Sequence, residues 1–295
     1  MITYIFGFLE EDSGKTTIGL HAIKYLKEIG IDVAPFKPIA GFNYWRQYEN
    51  FLNSAHYGTI FSRDAYMLEE IAKSGEKLEI INPVSFLFAP ADIKKYIESN
   101  VISKILFEET LVRNLVLARL TICENDKIEN QVYLNKRRLE YLLHDSRIFH
   151  IIESRNSREI DITDIEKFIN EINVNAKLYI ESCFRKLVKT HRSILVESFN
   201  NSMLPWRGIL NEEIDIVIGA FPGYALFFDP ISFKEALVTL MSLRGDIITG
   251  EMLLDVLNPK KVVRIPPITK RLEKFEKELY EDFVRYLEIE IRNII

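Results

Sequence analysis

Ile2-Thr3-Tyr4-Ile5-Phe6, followed by Gly7-Phe8-Leu9-Glu10-Glu11-Asp12-Ser13-Gly14-Lys15-Thr16-Thr17, decides the fold. The first five residues are apolar, aromatic or β-branched and end at a glycine, the pattern of a buried strand. From Lys15 onward Ile18, Ala22, Leu26 and Ile29 recur at helical spacing, with Tyr25 beside them and Gly30 as a stop. Asp32-Val33-Ala34-Pro35-Phe36 then reads as a second strand. Pro35 has no N–H to give to a ladder, which places this strand at an edge or near its own end. Strand, loop, helix and strand within about thirty residues make a βαβ unit, and that unit implies a parallel sheet.

The loop inside this unit carries the chemistry. A phosphate-binding loop needs inward-turned backbone N–H groups, a lysine for the terminal phosphates and a hydroxyl for magnesium. Glu11, Asp12, Ser13, Gly14, Lys15, Thr16 and Thr17 supply that set at a helix start, where the dipole also favours anions. The standard spacing would put the first glycine at Leu9, whereas here it is Gly7. The implied ligand is ATP with Mg²⁺.

Further motifs follow in order: Phe36-Lys37-Pro38-Ile39-Ala40, Ser62-Arg63-Asp64-Ala65, Ile81-Asn82-Pro83-Val84-Ser85-Phe86 and Leu195-Val196-Glu197. Together with the loop, this order resembles dethiobiotin synthetase, a P-loop family in the same broad class as the cobyrinate amidating synthases and partitioning ATPases. The resemblance covers roughly residues 1 to 90 and 193 to 225, under half of the chain. It implies an ATPase or ATP-dependent ligase that passes the γ-phosphoryl group to a small carboxylate or carbamate. Catalytic roles fall to Lys15 and Lys37, with Lys37 orienting the acceptor, and the magnesium ligands would be Thr16, Asp64 and Glu197. Glu197 also follows an apolar strand, where a metal-facing acid stands in such folds. The family's habit of pairing implies a homodimer. Departures lie at Gly41-Phe42, at Ser198-Phe199-Asn200-Asn201, and at Glu10, where the partitioning ATPases carry a lysine. They describe retained nucleotide machinery beside a remodelled acceptor pocket. The alternative is a nucleotide-dependent switch or regulatory P-loop domain that binds a protein partner.

Over all 295 residues the chain is 47% hydrophobic and 27% charged, a composition that excludes a disordered protein. A net charge of -5 gives no electrostatic case for nucleic acid. The most apolar window, Ile214 to Phe233, is broken by Asp215, Pro222 and Asp229, so no membrane span is expected. Met1 leads at once into the strand-like run with no basic-then-apolar leader, which reads as cytoplasmic. Cys123 and Cys183 show neither metal spacing nor a disulfide framework, and His144, His150 and His191 show no metal-ligand spacing either. His21 falls within the first helix and reads as packed.

The expected architecture is α/β, a mostly parallel sheet flanked by helices with a helical insertion. Residues 1–91 and 193–295 form the nucleotide-binding domain and 92–192 the inserted helical subdomain. Within the insertion, Leu111, Leu115, Leu117 and Leu120 are assigned to one helix, and Ile165, Phe168 and Ile172 to another. Strands are expected again at Ser193–Val196, Ile214–Ile218 and Lys261–Ile265. An amphipathic helix follows from Ile268, its stripe formed by Leu272, Phe275, Leu279, Phe283 and Leu287.

Overall fold

The computed structural model describes residues 1–101, 113–124, 127–152, 157–162, 164–245, 247–266 and 280–294. The fold is α/β, with two mixed sheets flanked by helices. Among the described residues no helix is long and apolar enough to cross a membrane. The chain divides into two compact units, Met1–Pro38 with Met67–Glu76 and Leu187–Ile295, and Ile39–Tyr66 with Lys77–Lys186.

Strands are numbered along the chain. The first unit holds β1 (Ile2–Gly7), β2 (Val33–Phe36), β8 (Ser193–Glu197), β9 (Ile216–Phe221), β10 (Tyr224–Phe228) and β11 (Lys261–Arg264). Their order across the sheet is β11-β10-β9-β1-β8-β2. The four strands β9, β1, β8 and β2 run parallel, β10 pairs antiparallel to β9, and β11 pairs antiparallel to β10. β2 is the edge, where Pro35 costs no ladder bond on its outer side. β1 is buried throughout because both of its faces are covered. Ile5 points to the core that Ile18, Leu20, Ile23 and Leu26 of the first helix, α1 (Lys15–Glu28), share with Leu195 and Ile218. Tyr4 and Phe6 point the other way, Phe6 stacking on Phe233 of the Pro230–Arg244 helix and Tyr4 meeting the same ring at a tilt. Trp206 is buried edge-to-face against Phe36.

The second unit contains β3 (Ile39–Asn43), β4 (Val84–Phe88), β5 (Leu115–Glu124), β6 (Lys127–Leu134) and β7 (Ser157–Asp161), in that spatial order. This corrects the expectation of an inserted helical subdomain over 92–192, since β5, β6 and β7 fall within it. Leu115, Leu117 and Leu120 lie on β5, not on a helix, and Leu111 lies outside the described residues. The physical reason is that β5 is buried from Leu115 to Thr121, so its near-continuous apolar run carries no alternation to read. The helix expected around Phe168 does form, as Ile165–Thr190. The unit boundaries also differ from the expected ones, since β3, β4 and Asp64 join β5–β7 rather than the first sheet.

Arg119 is the polar centre of this second unit. Its side chain is 1% exposed and donates to the carbonyls of Ile60 at 2.9 Å and Asn82 at 2.6 Å, to the Pro83 and Glu79 carbonyls, and to Thr121 Oγ1. Burial lowers its pKa to about 10. The guanidinium fork thus ties together backbone carbonyls at the ends of separate segments. Of the C-terminal stripe, Phe283 and Leu287 are buried on the Glu281–Arg292 helix, and the positions from Ile268 to Leu279 lie outside the described residues.

His21, on α1, is 9% exposed and stacks on the Tyr280 ring. Burial, helped by the Lys24 charge, lowers its pKa to about 4. The folded state therefore takes up its proton later than the unfolded chain does on acidification. The contribution from neutral His21 is fully present above the unfolded value of about 6.5 and is lost as pH falls from there through about 4. Denaturant midpoints measured from pH 7.5 to 4 should fall less steeply for His21→Phe than for the wild type.

Candidate functional site

β1 ends at Gly7 and α1 begins at Lys15, so the intervening loop lies at the carboxyl edge of the parallel strands. Crevices of open α/β sheets form at this edge. Phe8 N–H still donates to Ala220 O at 3.1 Å, and Leu9 to Asp12 are exposed. Gly14 is the N-cap, with φ 93°, a left-handed conformation natural to glycine. No side chain caps α1 and its first turn holds no acid, so its leading N–H groups face an end that favours an anion.

The early position of Gly7 has a spatial explanation. A Cβ there would stand 2.3 Å from Ser13 Oγ and 2.7 Å from Lys15 Nζ, because the loop folds these side chains directly over the end of β1. Lys15 is 8% exposed, and its ammonium donates to Ser13 Oγ at 3.1 Å and to Asn200 O at 2.8 Å. The loop is supported from below by Gly250, where a Cβ would meet Phe8 Cα at 2.9 Å and Gly7 O at 3.0 Å.

Glu197 closes the site. It ends β8, is fully buried, and accepts from Lys37 Nζ at 2.5 Å and from Thr16 Oγ1 at 3.1 Å. Lys37, just beyond β2 and 3% exposed, also donates to Ser198 O at 3.0 Å. One carboxylate therefore joins β8, the end of β2 and the first turn of α1. Five of the sequence-derived residues take part in hydrogen bonds at this edge, in two sets: Lys15 with Ser13, and Lys37 and Thr16 with Glu197. Glu11 and Asp12 are on the exposed loop surface, and Thr17 is half-buried in the first turn of α1. Asp64 is half-buried in the first turn of the Arg63–Ala72 helix and belongs to the second unit.

The backbone partners Asn200 O and Ser198 O were not among the sequence-derived residues. A carbonyl has no residue signature, and the one usable hint is Asn200 itself, an asparagine at φ 47° just after an apolar strand. Gly250 carried no signal, lying far along the chain from the loop it supports. Among the described residues no cluster of three or more His, Cys, Asp or Glu side chains could hold a metal ion. Compared with family models and with curated proteins, the sequence matches none.

A charge pair this deeply buried makes each partner dependent on the other. Removing one partner of a buried pair costs about 3–5 kcal/mol, since the remaining charge is left uncompensated. Lys37→Met and Glu197→Gln should each lower the unfolding free energy, and the double variant should be markedly less destabilised than the sum. Additive losses in urea titrations would mean that the two charges do not sense each other.

Proposed function

We propose that the edge formed by the loop, Lys37 and Glu197 binds Mg-ATP, and that the protein is an ATPase or an ATP-dependent ligase acting on a small carboxylate or carbamate. The observation that carries this reading is the pair of hydrogen bonds, Lys15 to Ser13 and Thr16 to Glu197, beside an uncapped helix N-terminus at the end of a central parallel strand. The N–H groups of the loop and of the first turn of α1 would hold phosphate oxygens. Lys15 would exchange its contacts with Ser13 and Asn200 for the terminal phosphates, which gain charge in the transition state. The Thr16 hydroxyl and the Glu197 carboxylate are hard oxygen donors that suit Mg²⁺. Bound there, the ion would neutralise phosphate charge.

The acceptor half of the proposal rests on the order of motifs around Lys37 and Glu197, which resembles dethiobiotin synthetase. Lys37 already holds Glu197 and Ser198 O. An acceptor carboxylate would reach its ammonium only by competing with Glu197, which makes Lys37 first a positioning residue for that acid.

Glu10, Glu11 and Asp12 are exposed on the same loop and repel a polyphosphate. Nucleotide binding should therefore depend strongly on Mg²⁺. Titration calorimetry with a non-hydrolysable ATP analogue tests the reading. Lys15→Ala should weaken binding by about 10²-fold while the protein remains folded. Glu11→Gln should tighten it by roughly 2–5-fold at low salt, an effect that fades as salt is added. An affinity unchanged in Lys15→Ala overturns the proposal.

A further inference from the structure

Cys123 and Cys183 are 60 positions apart in sequence, and their sulfurs lie 2.9 Å from each other inside the second unit. Cys123 is half-buried near the end of β5, whereas Cys183 is fully buried on the Ile165–Thr190 helix. The backbones around them are already tied together. Cys123 N–H donates to Ser182 Oγ at 3.0 Å, and that hydroxyl donates onward to Tyr179 O at 2.9 Å. The Cys183 thiol donates to Thr121 O at 3.5 Å. Arg119, Thr121 and Cys123 alternate along β5 and so share one face. The Arg119 cation favours the Cys183 thiolate, against the burial that pushes this thiol up.

We propose that Cys123 and Cys183 are a redox-active dithiol that closes to an intramolecular disulfide clipping the Ile165–Thr190 helix to β5. A disulfide bond is about 2.05 Å long, so closure asks the sulfurs to approach by about 0.9 Å. The Cys123–Ser182–Tyr179 hydrogen bonds stay in place, while the bond donated by the Cys183 thiol to Thr121 O is given up with its proton. The oxidant is a small-molecule disulfide. Cys123, the more exposed thiol, loses its proton and attacks one sulfur of that disulfide. The S–S bond breaks, one small thiol leaves with the proton, and a mixed disulfide remains on Cys123. The Cys183 sulfur, losing its proton in turn, attacks the Cys123 sulfur and expels the second small thiol. Two electrons and two protons pass from the pair to the oxidant.

The test is equilibration of the native protein with oxidised glutathione, followed by acid quench, alkylation in denaturant and mass spectrometry of the intact chain and its peptides. The expected product is a monomer lighter by about 2 Da that resists alkylation, with the Cys123 and Cys183 peptides linked to each other. Because the bond closes a long loop, its melting temperature should exceed that of the reduced protein by about 10 °C, a gain absent from Cys123→Ser treated in the same way. Two alkylated thiols, a glutathione adduct on Cys123 that never resolves, or a cross-link only between chains would each overturn the proposal.

Discussion

A carboxylate with no access to water governs the carboxyl edge of the six-stranded sheet. Glu197 can remain charged there only if the groups around it replace hydration. The ammonium of Lys37 and the hydroxyl of Thr16 do so from different elements. Three constraints follow from this single requirement. The end of β2 must stay beside β8, α1 must begin where its first turn reaches β8, and the loop between β1 and α1 must be tight enough to deliver Thr16. Lys15 is drawn into the same corner and held against Ser13 and the Asn200 carbonyl. The arrangement is thus preorganised by buried charge, while the loop surface from Leu9 to Asp12 stays open to solvent.

Where apolar runs are bounded by glycine or proline, the sequence is easy to read. β1, α1 and β2 were legible for this reason, as were β8 and β11, while the run expected at Ile214–Ile218 overlaps only the start of β9 at Ile216–Phe221. β10 was hidden because it lies inside the same apolar window as β9. Pro222-Gly223 breaks that window as a hairpin turn between two antiparallel strands. β5 was misread for a deeper reason. A strand buried on both faces gives up alternation, and a fully buried arginine in its middle imitates the polar face of a helix.

The site was legible to the extent that its chemistry resides in side chains. Lys15, Thr16, Lys37 and Glu197 each stand at the end of a recognisable strand or at the start of a helix, so their convergence follows from parallel topology. What supports them was not legible, because it consists of main-chain carbonyls and of glycines whose value is absent volume. The cysteines make the same point. Nothing in a separation of 60 residues announces that two sulfurs are neighbours, since that proximity is set by how the long helix lies along β5.

The strand order also sets a timetable for the chain as it is synthesised. β1 pairs with β8 and β9, and β2 pairs with β8, so these two strands depend on partners that begin at Ser193. At about 5–20 residues per second, the ribosome takes on the order of 10 s to travel from Phe36 to that point. All five strands of the other sheet emerge in that interval. The second unit therefore has its full set of pairing partners while the first still presents two apolar strands with no ladder to join. For the growing chain, β1 and β2 are apolar segments that need shielding until β8 and β9 are made.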